Sequence, residues 1–317
     1  MSPNTPANTS ANTSANTSGN IPGKKTASNA NYTLNKTTLK TPHAHAPLEV
    51  AYEYCKQATS RPQTNSETNS ETNSETTSKT DSKTPPVVLA LHGLGSDMLG
   101  GKIETTKTWA LENGYGFARF DYPGHGQSSG DMVDFTMSQA LDAALHLMDT
   151  IIQKPVVLTG SSTGGWLALL LAKARPDQVK GLVTIANACD FTEDLYWQTF
   201  SKKEQEDIKQ KGFYEKRFDD GYSFKLGLGL FEDGKKHLLF NDGRTQAKLA
   251  DISCPVRLLH GTEDVAVPWP TSVRVAKELG SSDVDVRLAP HADHRFSEPQ
   301  NLRMLTNALE SLPTFSS

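Results

Sequence analysis

The sequence predicts an α/β fold: a mostly parallel central sheet with helices on both faces and a cap inserted late in the chain. Three observations carry this. From Leu48 onward, short β-branched runs alternate with helical patterns, the signal of parallel strands joined by crossover helices. Between Asp190 and Ala250 the alternation stops, and it resumes at Val256. Two polar repeat segments stand outside it. Only 36% of the 317 residues are apolar, but the deficit is concentrated. Ala7-Asn8-Thr9-Ser10 recurs at 11–14 and 15–18, and Asn65-Ser66-Glu67-Thr68 recurs from 69 and 73 before decaying into Ser/Lys/Thr tetrapeptides. Such repeats cannot bury enough surface to offset chain entropy. Residues 1–45 are therefore expected to be a disordered tail and 60–84 a disordered insert in an ordered domain of 46–317. The remaining length suits one domain.

Leu48 to Cys55 reads as the first strand and Pro86 to Leu91 as the next, with the polar insert as a lengthened loop between them. Doubling a flexible loop costs only ~0.6 kcal/mol, so a sheet tolerates it. A helix from about Ile103 to Asn113 is stopped by Gly114, and a strand follows at Gly116 to Phe120. Residues 137–152 place Met137, Ala140, Leu141, Ala144, Leu145 and Met148 on one helical face, with Thr136 and Gln139 as a capping box. Pro155 to Thr159 and Val179 to Ala186 read as buried strands flanking a helix at Gly164 to Ala174. Residues of about 190–250 form the cap, read as amphipathic helix and turn. A strand at Val256 to His260, a helix at Thr271 to Leu279, a strand at Val284 to Leu288 and a helix from about Glu298 to Leu312 complete the pattern.

The formal charge of −4 gives no electrostatic reason to expect a nucleic-acid partner. The longest apolar run, near Trp166 to Ala172, falls far short of the ~20 residues that span a bilayer, so no integral membrane segment is expected. The first residues lack a cationic start and an apolar stretch, which points to a non-secreted, cytoplasmic protein. Cys55, Cys189 and Cys254 are an odd number without metal-ligand spacing and read as reduced core thiols.

Gly160-Ser161-Ser162-Thr163-Gly164 lies between a predicted strand and a predicted helix, the setting in which a G-x-S-x-G turn exposes a nucleophilic serine. Only small residues fit so tight a turn, and the helix N-terminus favours negative charge there. Ser161 fails the spacing to Gly164. His92-Gly93-Leu94-Gly95 ends another strand, where the Leu94 amide could join that of Thr163 in stabilising an oxyanion. A serine needs a base, and the base an orienting carboxylate. Asp264 and His294 each follow a late strand, giving the order Ser162, Asp264, His294. Glu263 and Asp190 compete as the acid, and His291 as the base. His92, His125 and His260 read as turn-associated. No histidine pairs with a second ligand at zinc spacing, so neither metal nor cofactor is expected. Asp121 to Ser128 lacks both phosphate-loop fingerprints and reads as a turn buttressing the site.

Together these motifs resemble the α/β-hydrolase superfamily from about Pro86 to Leu312. Gly160 to Leu167, running on to Ala174-Arg175-Pro176, is more specific. So is Cys254-Pro255-Val256-Arg257-Leu258-Leu259-His260-Gly261, running on through Val267-Pro268-Trp269 to Asp293-His294-Arg295. Both resemble the group of abhydrolase domain-containing protein ten, mitochondrial thioesterases that remove palmitoyl groups from protein cysteines and hydrolyse acyl-glucuronide esters. The resemblance implies an α/β-hydrolase fold, with Ser162 as nucleophile, Asp264 as acid and His294 as base.

The expected activity is a serine hydrolase cleaving ester or thioester bonds of acyl substrates, small molecules or acylated proteins, through an acyl-enzyme. The alternatives are a peptidase, lipase or carbon–carbon bond hydrolase on the same residues, or a non-catalytic scaffold of this fold binding a small ligand. Ten aromatic residues fall between 191 and 231, among them Trp197 and Phe200 as candidate substrate contacts. Rings over a nucleophile suggest an apolar acyl slot, and equally the cap's own core.

Overall fold

The computed structural model describes residues 33–56, 85–217, 223–240 and 248–315. β1 (Asn35–Leu39) and β2 (Leu48–Cys55) pair antiparallel, with Leu39 opposite Leu48. The alternation follows: β3 (Val87–Leu91), α1 (Gly101–Glu112), β4 (Gly116–Phe120), α2 (Met137–His146), β5 (Val156–Ser161), α3 (Thr163–Ala174) and β6 (Val179–Ile185). The cap contributes α4 (Lys202–Lys211), β7 (Phe213–Arg217), β8 (Ser223–Gly227) and α5 (Leu228–Gly234). β9 (Val256–Gly261), α6 (Pro270–Glu278), β10 (Val284–Ala289) and α7 (Pro299–Glu310) resume the pattern.

The main sheet has the order β1-β2-β4-β3-β5-β6-β9-β10. β2 runs antiparallel to β4, and every neighbouring pair from β4 to β10 is parallel. β3 and β4 are buried along their whole length, which is why β3 reads as a continuous apolar run; β4 interrupts its run with Arg119, buried against Glu53. α2, α3 and α6 cover one face, with Met137, Trp166, Leu169 and Val275 in its core. α1 and α7 cover the other through Ile103, Trp109, Leu305 and Leu309. Helix α2 starts on the expected capping box, in which Thr136 and Gln139 each accept the other's amide. Its continuation over Leu147–Ile152 winds wider, in π geometry, and ends at Gln153 with φ of 50°. The three cysteines are free, and burial raises the pKa of each thiol. Among the described residues no helix is long and apolar enough to cross a membrane.

Two expectations need correction. The ordered domain starts before residue 46, because Asn35–Leu39 forms an edge strand whose Leu39 is buried and whose Lys36 pairs with Glu49 at 2.5 Å. The following turn is held by Thr41 and His43 on Asp142. Asn-Lys-Thr-Thr-Leu has a single apolar residue, so nothing in its pattern announces a strand. The rest of the expected tail, residues 1–32, and the insert at 60–84 lie outside the described residues. The cap, in turn, is not only helix and turn: β7 and β8 form an antiparallel hairpin within it.

If β1 belongs to the fold, Leu39→Ala removes buried side-chain volume and lowers the unfolding free energy by about 2 kcal/mol. Urea unfolding checks this; a residue in a flexible tail would leave the midpoint unmoved.

Candidate active site

The carboxyl ends of β3, β5, β9 and β10 deliver Leu94, Ser162, Asp264 and His294 to one edge of the sheet. β5 and α3 are joined by a turn with no room for side chains. A Cβ on Gly160 would run into the backbone of Gly164, and one on Gly164 would lie 2.6 Å from the His92 carbonyl oxygen. Between them Ser162 takes φ 55° and ψ −119°, a conformation L residues rarely adopt and one that costs about 1–3 kcal/mol. Its amide donates to the Ile185 carbonyl at 2.9 Å, leaving the side chain to project from the turn.

Ser162 Oγ lies 3.1 Å from His294 Nε2, and His294 Nδ1 lies 2.7 Å from Asp264 Oδ2. Because Nδ1–H donates to the carboxylate, Nε2 is left to accept from the serine hydroxyl. Asp264 Oδ1 accepts the amides of Ala266 and Val267 at 2.9 and 2.8 Å. Burial raises the Asp264 pKa, but hydrogen bonds from His260, His294 and the Val267 amide outweigh it and hold the carboxyl well below the usual carboxylate range. Asp264 therefore stays ionised beside His294. The arrangement can take a proton from the serine and return it to a leaving group.

The competitors lie elsewhere. His291 and Glu263 are exposed and pair with each other at 2.7 Å. Asp190 accepts the amides of Leu239 and Phe240, each at 2.9 Å. Burial pushes its carboxyl up to about 6 against those bonds, and it ties the end of the cap to the strand edge.

The loop after β3 lies against the serine: a Cβ on Gly93 would sit 3.4 Å from Ser162 Cβ. Thr163 opens α3, where the first amides have no intrahelical acceptor. Among the described residues, neither the Leu94 nor the Thr163 amide donates to a protein group. Two histidines that the sequence leaves as turn residues hold this loop. His92 Nε2 accepts the Tyr122 amide at 3.2 Å, its Nδ1–H donates to the Gly93 carbonyl at 2.8 Å, and its ring stacks on Tyr122 at 3.8 Å. His125 Nε2 accepts the Gly95 amide at 3.2 Å. The Asp121–Ser128 loop buttresses the site, as expected, with Asp121 accepting the amides of Met98 and Gln127.

A cavity of about 310 Å3 opens beside Ser162 and His294, lined by Gly93, Leu94, Lys102, Ile103, Ile185 and Leu302 among others. Trp197 and Phe200 do not line it. Phe200 packs on Tyr214 at 4.7 Å, and Trp197 on Phe231 at 5.7 Å, so these rings build the cap's own core. Phe224 of β8 is the cap ring that approaches the loop after β3, within 3.9 Å of the place of a Cβ on Gly95. His260, also read as a turn residue, is fully buried beneath Asp264, with Nε2 3.2 Å from Oδ2. Its signal in the sequence is a histidine near the end of a buried strand, four residues before Asp264.

The profile of the alpha/beta hydrolase family matches residues 87–303. Palmitoyl-protein thioesterase ABHD10, mitochondrial, of Mus musculus is 33% identical over 229 residues, which cover 72% of this chain and 75% of that one. The solved structure of alpha/beta hydrolase domain-containing protein 10 from mouse has a TM-score of 0.66 and 28% identity, covering 87% of this chain and 97% of its own. A structure from Agrobacterium vitis has a TM-score of 0.72 at 27% identity, covering 89% and 98%.

His92 makes the site sensitive to acid. Burial, and then the repulsion that a proton on neighbouring His125 would exert, lowers its pKa from 6.5 to about 3, partly opposed by its bond to Gly93. Below 6.5 the unfolded chain takes up a proton that the folded one refuses, so stability falls as the pH drops toward 3. One such proton costs about 2 kcal/mol between pH 6.5 and about 5. Urea unfolding at both pH values measures this, and His92→Gln is expected to flatten the difference.

Proposed function

Since the chain belongs to the alpha/beta hydrolase family, we propose that it is a serine hydrolase cleaving carboxylic esters or thioesters through an acyl-enzyme. The observation that carries this is the unbroken chain from Asp264 through His294 to a strained, outward-facing Ser162.

As Ser162 Oγ attacks the acyl carbonyl carbon, its proton passes to His294 Nε2. The resulting imidazolium is stabilised by Asp264, which keeps its negative charge. The carbonyl oxygen becomes an oxyanion facing the Leu94 and Thr163 amides, which need no reorganisation to receive it. Collapse expels the alcohol or thiol, which leaves with the proton from His294. Water then attacks the acyl-enzyme, giving its proton to His294, and the acid departs as Ser162 recovers its own.

The thioester half of the reading is supported by the mouse relative, named as a palmitoyl-protein thioesterase. The cavity points to a shorter acyl group. Its 310 Å3 lies at the small end of the ~300–1,000 Å3 typical of small-ligand sites. A palmitoyl chain would have to extend out of it. A cytoplasmic location belongs to the same proposal, against the mitochondrial designation of the relative.

Ser162→Ala should lower kcat/KM by several orders of magnitude and abolish labelling by a fluorophosphonate. Retention of most activity would refute the assignment. Across matched esters and thioesters, kcat/KM for butyryl is expected to exceed that for palmitoyl by ~10-fold or more. The reverse order would show that the cavity is not the acyl site.

A further inference from the structure

The Asp264 carboxylate is shared. His294 Nδ1 lies 2.7 Å from its Oδ2, and a second imidazole, His260, lies 3.2 Å from the same oxygen. His260 Nε2 is also 2.9 Å from the Val267 carbonyl oxygen. Facing two acceptors, Nε2 must carry the ring proton, so Nδ1 accepts from the Ser272 hydroxyl at 2.7 Å. A chain of polar contacts thus runs from Ser272 on α6 through His260, Asp264 and His294 to Ser162, hydrogen-bonded at every step except the 3.2 Å approach of His260 to Asp264. His260 and Ser272 are completely buried, so nothing in solvent competes for these groups.

We propose that His260 is a positioning residue for the reaction: it clamps the Asp264–Val267 turn and takes up part of the carboxylate charge that would otherwise fall on His294. The proposal rests on the reading of Ser162, His294 and Asp264 as the reacting set. The clamp has two arms. Nε2–H holds the Val267 carbonyl while the Val267 amide holds Oδ1 at 2.8 Å, which closes a ring around the turn. The contact with Oδ2 limits rotation of the carboxylate away from His294. The charge sharing follows from the common oxygen. A carboxylate that accepts a second donor offers less negative charge to the first. Glu263, the neighbouring carboxylate of this turn, faces outward to His291 instead.

Kinetics of His260→Leu, His260→Gln and Ser272→Ala test this, with kcat, KM and the pH profile of kcat/KM followed on the best neutral acyl substrate. Partners that orient a reacting group from behind are typically worth 10- to 100-fold, so His260→Leu should lower kcat by about that factor with little change in KM. With the whole carboxylate charge facing His294, the acid limb of its pH profile should move to higher pH. His260→Gln, whose amide can donate from a similar place, should recover most of the rate and the wild-type limb. Ser272→Ala removes only a hydroxyl and loosens the ring from behind. It should move the limb in the same direction by less, which keeps the test available if His260→Leu does not fold.

Equal losses in His260→Leu and His260→Gln with an unmoved limb would overturn the proposal and leave His260 a packing residue. So would an unmoved limb in Ser272→Ala. Activity that survives Ser162→Ala would instead overturn the underlying reading, whatever the His260 variants do.

Discussion

The site depends on one close approach of backbone to backbone. Helix α3 starts so near the ends of β3 and β5 that no side chain fits at Gly160 or Gly164. That contact brings the serine turn against the Gly93 loop, and it sets the first amides of α3 beside the place where an oxyanion would form. The parallel register supplies the rest. Gly160 pairs with Leu91 and Ser161 with Ile185, so the loops after neighbouring strands start at the same level. Residues far apart in the chain meet because each lies a few positions beyond a strand end. The same principle explains why ligands gather at the carboxyl edge of open α/β sheets.

Around that edge the buried polar groups are heavily bonded. Asp264 accepts two amides and faces two imidazoles, and Asp121 accepts two amides beside a stacked pair of rings. A buried carboxylate is tolerated only when its charge is met in this way. Both His92 and His125 present Nδ1–H to a carbonyl and Nε2 to an amide. They act as neutral spacers with a fixed tautomer, which shape a loop without adding charge beside the serine.

The strand and helix ladder was legible because fully buried parallel strands are continuous apolar runs, and because Gly114 and the Thr136 box mark helix ends. Ser162, Asp264 and His294 were legible for a related reason, since each stands at a fixed offset from such a strand. What escaped has physical reasons too. β1 carries one buried apolar residue, and β7 and β8, Phe-Tyr-Glu-Lys-Arg and Ser-Phe-Lys-Leu-Gly, are too short and mixed to declare a period. Composition located the cap aromatics but not the direction of their rings, so Trp197 and Phe200 were as compatible with a substrate wall as with the cap core. A histidine's partners come from tertiary packing, so His260 and His92 looked like ordinary turn residues.

The dihedral angles of Ser162 have a corollary. Glycine adopts φ of 55° freely, and serine does not. At this position the residue best suited to folding is therefore one that cannot react. Stability alone would favour glycine here, so the serine is what the proposed reaction requires rather than what the turn prefers. The strain is a standing cost at a single position, held in place by a scaffold stable enough to carry it.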